Sequence, residues 1–579
     1  MAESTQLRSK VPRRRRILRW TAGIVLLCAA VAAGSAFYLW HHAEPLLRAR
    51  IVAELQERFH ARVELDGFHL SLKDGISVEG RGLRIWPPAQ VGGVRVAAGE
   101  NAGKKPAAGA LAGQGAATGA TAVAIPPQLP LIRLQEFRFH APLHYEPGKP
   151  LHITRVELKG LEIVLPPKSH FSHGVALPEN PAKTSSFQVD AVECTDARLI
   201  LQTDKPGKDP MEFAIRSLRL SDLTTASALH FEADLTTPRP AGKLLIQGSF
   251  GPWKTLDPGE SALAGDYSLQ QADLGSFKEI GGRLDSTGKF QGTLRDLEVN
   301  GKADTADFQL SAFGHPLPLH TVFHALVDGT NGDTRLEAVD ATLGHSHFTT
   351  QGTILQVRAA DGSKANQGHA IELRVNVDRG RIEDFIRLAS HEQEPLLTGA
   401  LVTRSSLQIP PGAAPVHRRM RIEGAFQLSA ARFSNEKIQK GIEQLSQRGQ
   451  GHPEAAKSAD PEQALSSMQS DFSMNNGVLT LPNLVYAVPG AQIQLHGSYG
   501  LDGGALNFAG TAKLQASVSQ MVGGWKGALL KPFDGLFRKS GAGTQIPLHI
   551  RGTRANPEFG VDFAGREFDL PGVGKKKAK

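Results

Sequence analysis

The chain has 579 residues, enough for several domains, and its 61 glycines and 35 prolines against 6% aromatic content predict short, punctuated strands. Its two cysteines, Cys28 and Cys194, leave no disulfide framework, because Cys28 falls inside an apolar run near the N-terminus. The net charge of +8 comes mainly from an Arg-rich N-terminal tail and from Lys575, Lys576, Lys577 and Lys579; the near-balanced remainder argues against a nucleic-acid partner.

Residues 1–16 form a basic tail, and 17–40 hold the membrane signal. Residues 21–40 carry no charged side chain and are just long enough to cross a bilayer as a helix. Arg13, Arg14, Arg15, Arg16 and Arg19 precede that run, and Trp40 closes it at the expected interface. The positive-inside rule keeps the tail cytoplasmic, where it meets anionic headgroups, and exports the rest of the chain. Gly34-Ser35-Ala36 offers small residues for a signal peptidase, but the apolar run exceeds a signal core and aromatics follow at once. A retained single-pass anchor is the reading.

Residues 41–86 read as an amphipathic helix and a first hairpin. Leu47, Ile51, Leu55 and Phe59 recur every four residues, and Asp74-Gly75 marks the hairpin turn. Residues 87–130 are Ala/Gly-rich with no steady period, and are expected to be a disordered insertion.

Residues 131–430 alternate strand after strand. The clearest run places Ile371, Leu373, Val375 and Val377 on one side and Glu372, Arg374, Asn376 and Asp378 on the other. Asp328-Gly329, Asn331-Gly332-Asp333, Gly281-Gly282 and Asp361-Gly362 separate such runs. Glycine recurs just after an alternating segment at Gly248, Gly292, Gly352, Gly424 and Gly497, as in a degenerate internal repeat. Helical candidates are few, the main one being residues 274–284. A sheet with one apolar face needs a cover, from helices, from a second sheet or from a non-protein ligand. Pattern alone favours a sandwich. An open trough with an aliphatic floor is the alternative, and that floor suits acyl chains better than sugars or nucleotides.

Residues 431–570 contain a helix over 435–448, with Ile438, Ile442 and Leu445 on one face, a short helical stretch beginning at Pro461, strands over 472–514, and an amphipathic segment carrying Val518, Met521, Trp525 and Leu529. That segment fits a core helix and a lid or membrane-contacting element equally. Residues 571–579 are a basic disordered tail. No enzyme motif stands out. His345 and His347, and His170 and His173, lack the surrounding ligands of a metal site, and Glu383-Asp384 reads as solvated surface.

Asn476-Gly477, Val488-Pro489-Gly490-Ala491, the strand end at Gly497, and Ile550-Arg551-Gly552-Thr553 leading to Asn556-Pro557-Glu558-Phe559 together resemble the C-terminal region of the AsmA-like family. The order of basic tail, anchor, amphipathic helix and hairpin is similar to that family as well. The resemblance implies a mostly β protein of the bacterial inner membrane: a transmembrane helix, then an elongated, repeated antiparallel β-sheet forming an open groove in the periplasm, with a few amphipathic helices near the ends. It implies a non-enzyme without cofactors that guides phospholipid acyl chains from the bilayer towards the outer membrane. The expected floor comprises Ile371, Leu373, Val375, Val377, Phe426, Leu428, Ile493, Leu495, Leu548 and Ile550. Even roughly thirty strands would advance only on the order of 140 Å, so reach across the periplasm is not assured for one chain. The alternative is a β-sandwich tether or an assembly factor for outer-membrane proteins, marked by a polar floor or a groove filled by its own side chains.

Overall fold

The computed structural model describes residues 44–569 apart from 46, 58–60, 72–75, 87–129, 142–150, 166–186, 203–208, 224–226, 255–256, 278–279, 311–312, 359–363, 390–393, 413, 458–465, 523–530, 532–543, 554–555 and 564–565. The anchor, most of the Ala/Gly-rich insertion, the Asp74-Gly75 and Asp361-Gly362 turns and the basic tails lie outside these residues. Among the described residues no helix is long and apolar enough to cross a membrane. The chain divides into two compact units, Met1–Arg219 and Leu220–Lys579. Both are mostly β.

The first unit opens on a helix at residues 44–45 and 47–57 (α1), whose Leu47, Ile51 and Leu55 are half-buried. Arg48 of α1 donates to the backbone carbonyl of Leu65, and Glu44 lies 3.6 Å from His69. Strands β1 (Val63–Glu64) and β2 (Gly67–Ser71) both pair with β3 (Ile76–Ile85), followed by β4 (Ile132–Ala141), β5 (Leu151–Leu165) and β6 (Phe187–Leu201). Among the described pairings the expected antiparallel order fails at β5 and β6, which run parallel. A parallel pair needs a long connection instead of a hairpin, and the Pro-rich residues 166–186 supply its length. The unit boundary falls within β7 (Met211–Leu223).

The second unit continues with β8 (Leu229–Pro238), β9 (Ala241–Phe250), β10 (Ala262–Asp273), β11 (Ile280–Gly281), β12 (Arg283–Thr293), β13 (Leu297–Leu310) and β14 (Phe313–Val327). Next come β15 (Thr334–Leu343), β16 (Ser346–Arg358), β17 (Lys364–Arg381), α2 (Ile382–Ala389), β18 (Leu397–Ile409), α3 (Val416–Arg419) and β19 (Arg421–Phe433). The chain then forms α4 (Glu436–Gly449), β20 (Ser466–Asn475), β21 (Val478–Val488), β22 (Ala491–Gly500), β23 (Ala505–Leu514), α5 (Val518–Val522), β24 (Thr544–Thr553), β25 (Pro557–Phe563) and β26 (Arg566–Asp569). From β8 to β26 each strand pairs antiparallel with its sequence neighbour, except that β10 skips to β12 while β11 pairs with β13. No described pairing joins β26 back to β8, so this sheet is open. It is one hydrogen-bonded series and not the two sheets of a sandwich.

Local chemistry explains the punctuation. Asn476 and Gly477 both take positive φ, 48° and 72°, as a two-residue hairpin turn between β20 and β21 requires. Asp328 holds the β14–β15 turn by accepting from the backbone N–H of Thr330 at 2.8 Å. Residues 274–284, expected as a helix, instead make one 3-10 turn (Leu274–Ser276) and then enter β11 and β12. Asp273 accepts from the Gly275 N–H at 2.8 Å, and Gly282 at φ 121° cannot continue a helix. The short helical stretch expected from Pro461 falls on undescribed residues as far as 465, and β20 starts at Ser466.

A candidate apolar groove

Residues directly opposite one another in a sheet share a face. One row therefore crosses the second unit from β8 to β23: Phe231, Gly248, Gly265, Phe290, Val299, Ala325, Leu336, Gly352, Leu373, Leu407, Ile422, Met474, Leu479, Tyr499 and Leu506. Every member is apolar, aromatic or glycine. At about 4.8 Å per strand the row runs on the order of 70 Å along the sheet. On the opposite face Glu232, Gln247, Asp266, Lys289, Asn300 and His324 form the corresponding polar row.

The ten floor residues singled out from sequence all lie on the apolar face. Val377 stands opposite Thr403, which stands opposite Phe426. Leu428 connects through Met468 and Tyr486 to Ile493, while Gly510 pairs with both Leu495 and Leu548, and Phe508 with Ile550. Ile371, Leu373 and Val375 are half-buried, and Glu372, Arg374, Asn376 and Asp378 between them are exposed.

The recurring glycines sit on this same face, for a steric reason. A Cβ on Gly497 would lie 2.2 Å from the Asn507 carbonyl oxygen and 2.7 Å from the Phe508 ring. On Gly301 it would meet the Phe323 ring at 2.7 Å and the Tyr267 hydroxyl at 2.7 Å. Aromatic rings lie down over glycines that have no side chain to displace them, as cross-strand rescue of glycine in curved sheets requires. Gly80 under Phe137 repeats the device in the first unit, with a ring atom 2.1 Å from the Cβ position.

Helices cover part of the floor, at one end of the strands. Ile382 and Phe385 of α2 pack with Leu397 and Phe426 on the buried Leu401, Leu428 and Ala431. Ile442 and Leu445 of α4 and Met521 of α5 pack on Tyr486, Val488, Ala491 and Leu514, together with Ile493 and Ile546. Trp525 and Leu529 of the expected segment lie outside the described residues. Ile371, Leu373, Val375, Leu495, Leu548 and Ile550 belong to neither cluster. The buried row of α4 differs from the expected one. Gln439, Glu443 and Ser446 are buried, whereas Ile438 is exposed.

Asp384, read from sequence as solvated, is 1% exposed. It accepts from the Ser346 hydroxyl at 2.7 Å and from the His345 N–H at 2.9 Å, tying α2 to the β15–β16 turn. No local sequence signal announces those partners, which arrive from 38 and 39 residues away. His347 sits on the polar face between Asp378 at 2.8 Å and Asp340 at 3.1 Å. Hydrogen bonding to Asp378, then to Asp340, raises its pKa above the ordinary histidine value. The two carboxylates grip opposite ring nitrogens, so the three groups do not converge on one ion. Among the described residues no three His, Cys, Asp or Glu side chains gather into a metal-holding group. Cys194 is buried on the apolar side of β6 opposite Leu158, and burial, then Asp196, raises its thiol pKa. A thiol so placed is a poor nucleophile.

A recess of about 250 Å³ on the polar side of the first unit is lined by Glu79, Arg81, Glu136, Arg138 and Glu157 among others. Its charges are already engaged: Arg138 with Glu79 at 2.7 Å and Glu157 at 3.6 Å, and Arg81 with Glu136 at 3.5 Å. These pairs make the recess a cross-strand charge lattice, with Lys159 also in its lining. Residues Arg13, Arg14, Arg15, Arg16, Arg19 and Trp40, assigned to membrane orientation, lie outside the described residues. Compared with protein-family models, curated proteins and solved structures, the chain has no match.

Proposed function

We propose that this protein is a membrane-anchored carrier that shields the acyl chains of phospholipids along the apolar face of its second unit. The observation that carries the reading is the unbroken apolar row from Phe231 to Leu506, half-exposed at Leu373 and backed on the opposite face by the polar row from Glu232 to His324. An apolar strip of that length in water marks a binding surface, and its aliphatic middle matches a hydrocarbon chain.

Chain transfer along it needs no covalent chemistry. Each methylene moved from water to the floor contributes about 0.8 kcal/mol, while charged headgroups remain in solvent. The apolar run at 21–40 supplies the membrane end. The resemblance to AsmA-like proteins supports the bacterial inner membrane as its location, the periplasm as the site of the sheet and the outer membrane as the destination. A second reading, a non-transporting envelope scaffold, draws on the helices that fill part of the floor at Ile493 and Phe426.

Lipid extraction and mass spectrometry of the full chain separate the two. The carrier retains phospholipid through detergent purification. The double substitution Leu373→Asp, Val375→Asp releases it while the far-ultraviolet circular dichroism spectrum is unchanged. A wild-type protein that is folded and lipid-free favours the scaffold.

A further inference from the structure

Helix α4 is seated on the apolar face by a polar row. Gln439, Glu443 and Ser446 are 6%, 1% and 2% exposed, at the i, i+4, i+7 spacing that makes one helical face. Two of these groups are satisfied at the seat. Gln439 accepts from the Phe433 N–H at 3.1 Å, and Ser446 donates to the Pro489 carbonyl at 2.8 Å. Glu443 is not. One carboxylate oxygen accepts from Gln447, on the same helix, at 3.0 Å; the other is buried with no hydrogen-bond partner among the described residues. Beneath the helix the buried Tyr486 hydroxyl likewise lacks a partner of good geometry. Ser466 lies close enough to act on it, while its own hydroxyl donates to the Ala431 carbonyl.

A buried, half-satisfied carboxylate is expensive, and each such group weakens the packing that buries it. Replacing a buried, unpaired carboxyl with an apolar side chain removes that cost. The other contacts are Ile442 and Leu445 over Tyr486, Val488 and their neighbours, Gly449 against Gly490 at the β21–β22 turn, and the Ala516 N–H donating to the Gly449 carbonyl at 2.8 Å. These apolar side chains occupy the same face that holds Ile493 and Ile546, where a hydrocarbon chain would lie.

We infer that α4 is a displaceable cover of the apolar floor, held loosely by design of its polar row, which competes with an acyl chain for the surface around Tyr486 and Ile493. Occupation of the floor lifts α4 and returns Glu443 to water. The inference rests on the carrier reading for the identity of the competitor, but not for the weakness of the seat.

Two substitutions in the full chain push the cover in opposite directions. Glu443→Leu removes the unsatisfied carboxylate and tightens the seat. Gly449→Val places a Cβ 2.5 Å from the Gly490 carbonyl oxygen and pries the helix off the turn. Amide hydrogen exchange over residues 436–449 reads the cover directly; binding of the fluorescent fatty acid cis-parinaric acid reads the floor. The expected result is exchange about tenfold slower in Glu443→Leu, faster in Gly449→Val, with probe binding weakened in the first and strengthened in the second. Faster exchange or a lower melting temperature in Glu443→Leu overturns the inference, since Glu443 would then be an anchor. Exchange that moves as expected with unchanged probe affinity overturns the competition. Exchange that moves as expected while no variant binds the probe supports the loose cover and overturns the carrier reading.

Discussion

His347 shows how single residues on the polar face join three strands. Its ring links Asp340 of β15 to Asp378 of β17, with Arg379 Nε 3.9 Å from the Asp378 carboxylate as the competing cation. Because the folded-state pKa lies above the unfolded one, this bridge stabilises fully below about 6.5 and is lost as pH rises through the folded value. Thermal melts followed across that window are expected to show a falling transition temperature in the wild type and a flatter profile in His347→Asn. Equal slopes would mean that the bridge contributes nothing. Asp384 is the opposite case, a carboxylate withdrawn from solvent to fasten α2. Asp384 was misread as surface because a carboxylate in the first turn of a short helix looks solvated until the turn that supplies its partners is placed beside it.

At the level of elements, strict alternation made the floor legible. With a period of two, Ile371, Leu373, Val375 and Val377 have to share a side, and register then aligns them with Phe426, Leu428, Ile493, Leu495, Leu548 and Ile550. The same period hid the bulges. Gly82, Gly160 and Asp196 take positive φ at 68°, 66° and 54° and interrupt the alternation of β3, β5 and β6. The parallel β5–β6 pair was likewise beyond a local reading, since strand direction depends on where a connection of some twenty residues returns. Helix α4 was legible in extent but not in orientation. Asn435 caps it, accepting from the Ile438 N–H at 3.2 Å, yet the seated face carries Gln439, Glu443 and Ser446 beside Ile442 and Leu445, and leaves Ile438 exposed.

Glycine position offers an element-scale test. A Cβ on Gly510 of β23 would lie 1.9 Å from the Gln494 carbonyl oxygen, backbone that cannot step aside, so Gly510→Val is expected to destabilise by about 1–3 kcal/mol. Gly441 in the interior of α4 is exposed with nothing within 4 Å of its Cβ position, and Gly441→Ala is expected to stabilise by about 1 kcal/mol. Denaturant titrations of the two variants should move in opposite directions. Movement in the same direction contradicts the crowding assigned to the apolar side.

For the molecule as a whole, the division of labour follows from which side of each strand is apolar. Each unit keeps its charges on the polar side: Glu79, Arg138, Glu157 and Glu193 in the first, the row from Glu232 to His324 in the second. In the second unit the opposite side remains half-exposed between its helical covers. A soluble protein without a ligand for that side would be expected to bury it with further helices or a second sheet. An acyl chain meets the same need, and can leave.

The central claim is that lipid lies on one face and not the other, and adjacent residues of β17 test it. A photoreactive benzoylphenylalanine replacing Leu373 points to the apolar side, and one replacing Arg374 points to the polar side. Illumination of cells labelled with radioactive phosphate is expected to give a labelled phospholipid adduct at position 373 and none at 374. Equal labelling at both positions, or none at 373 in a protein that is folded and abundant, would contradict the account.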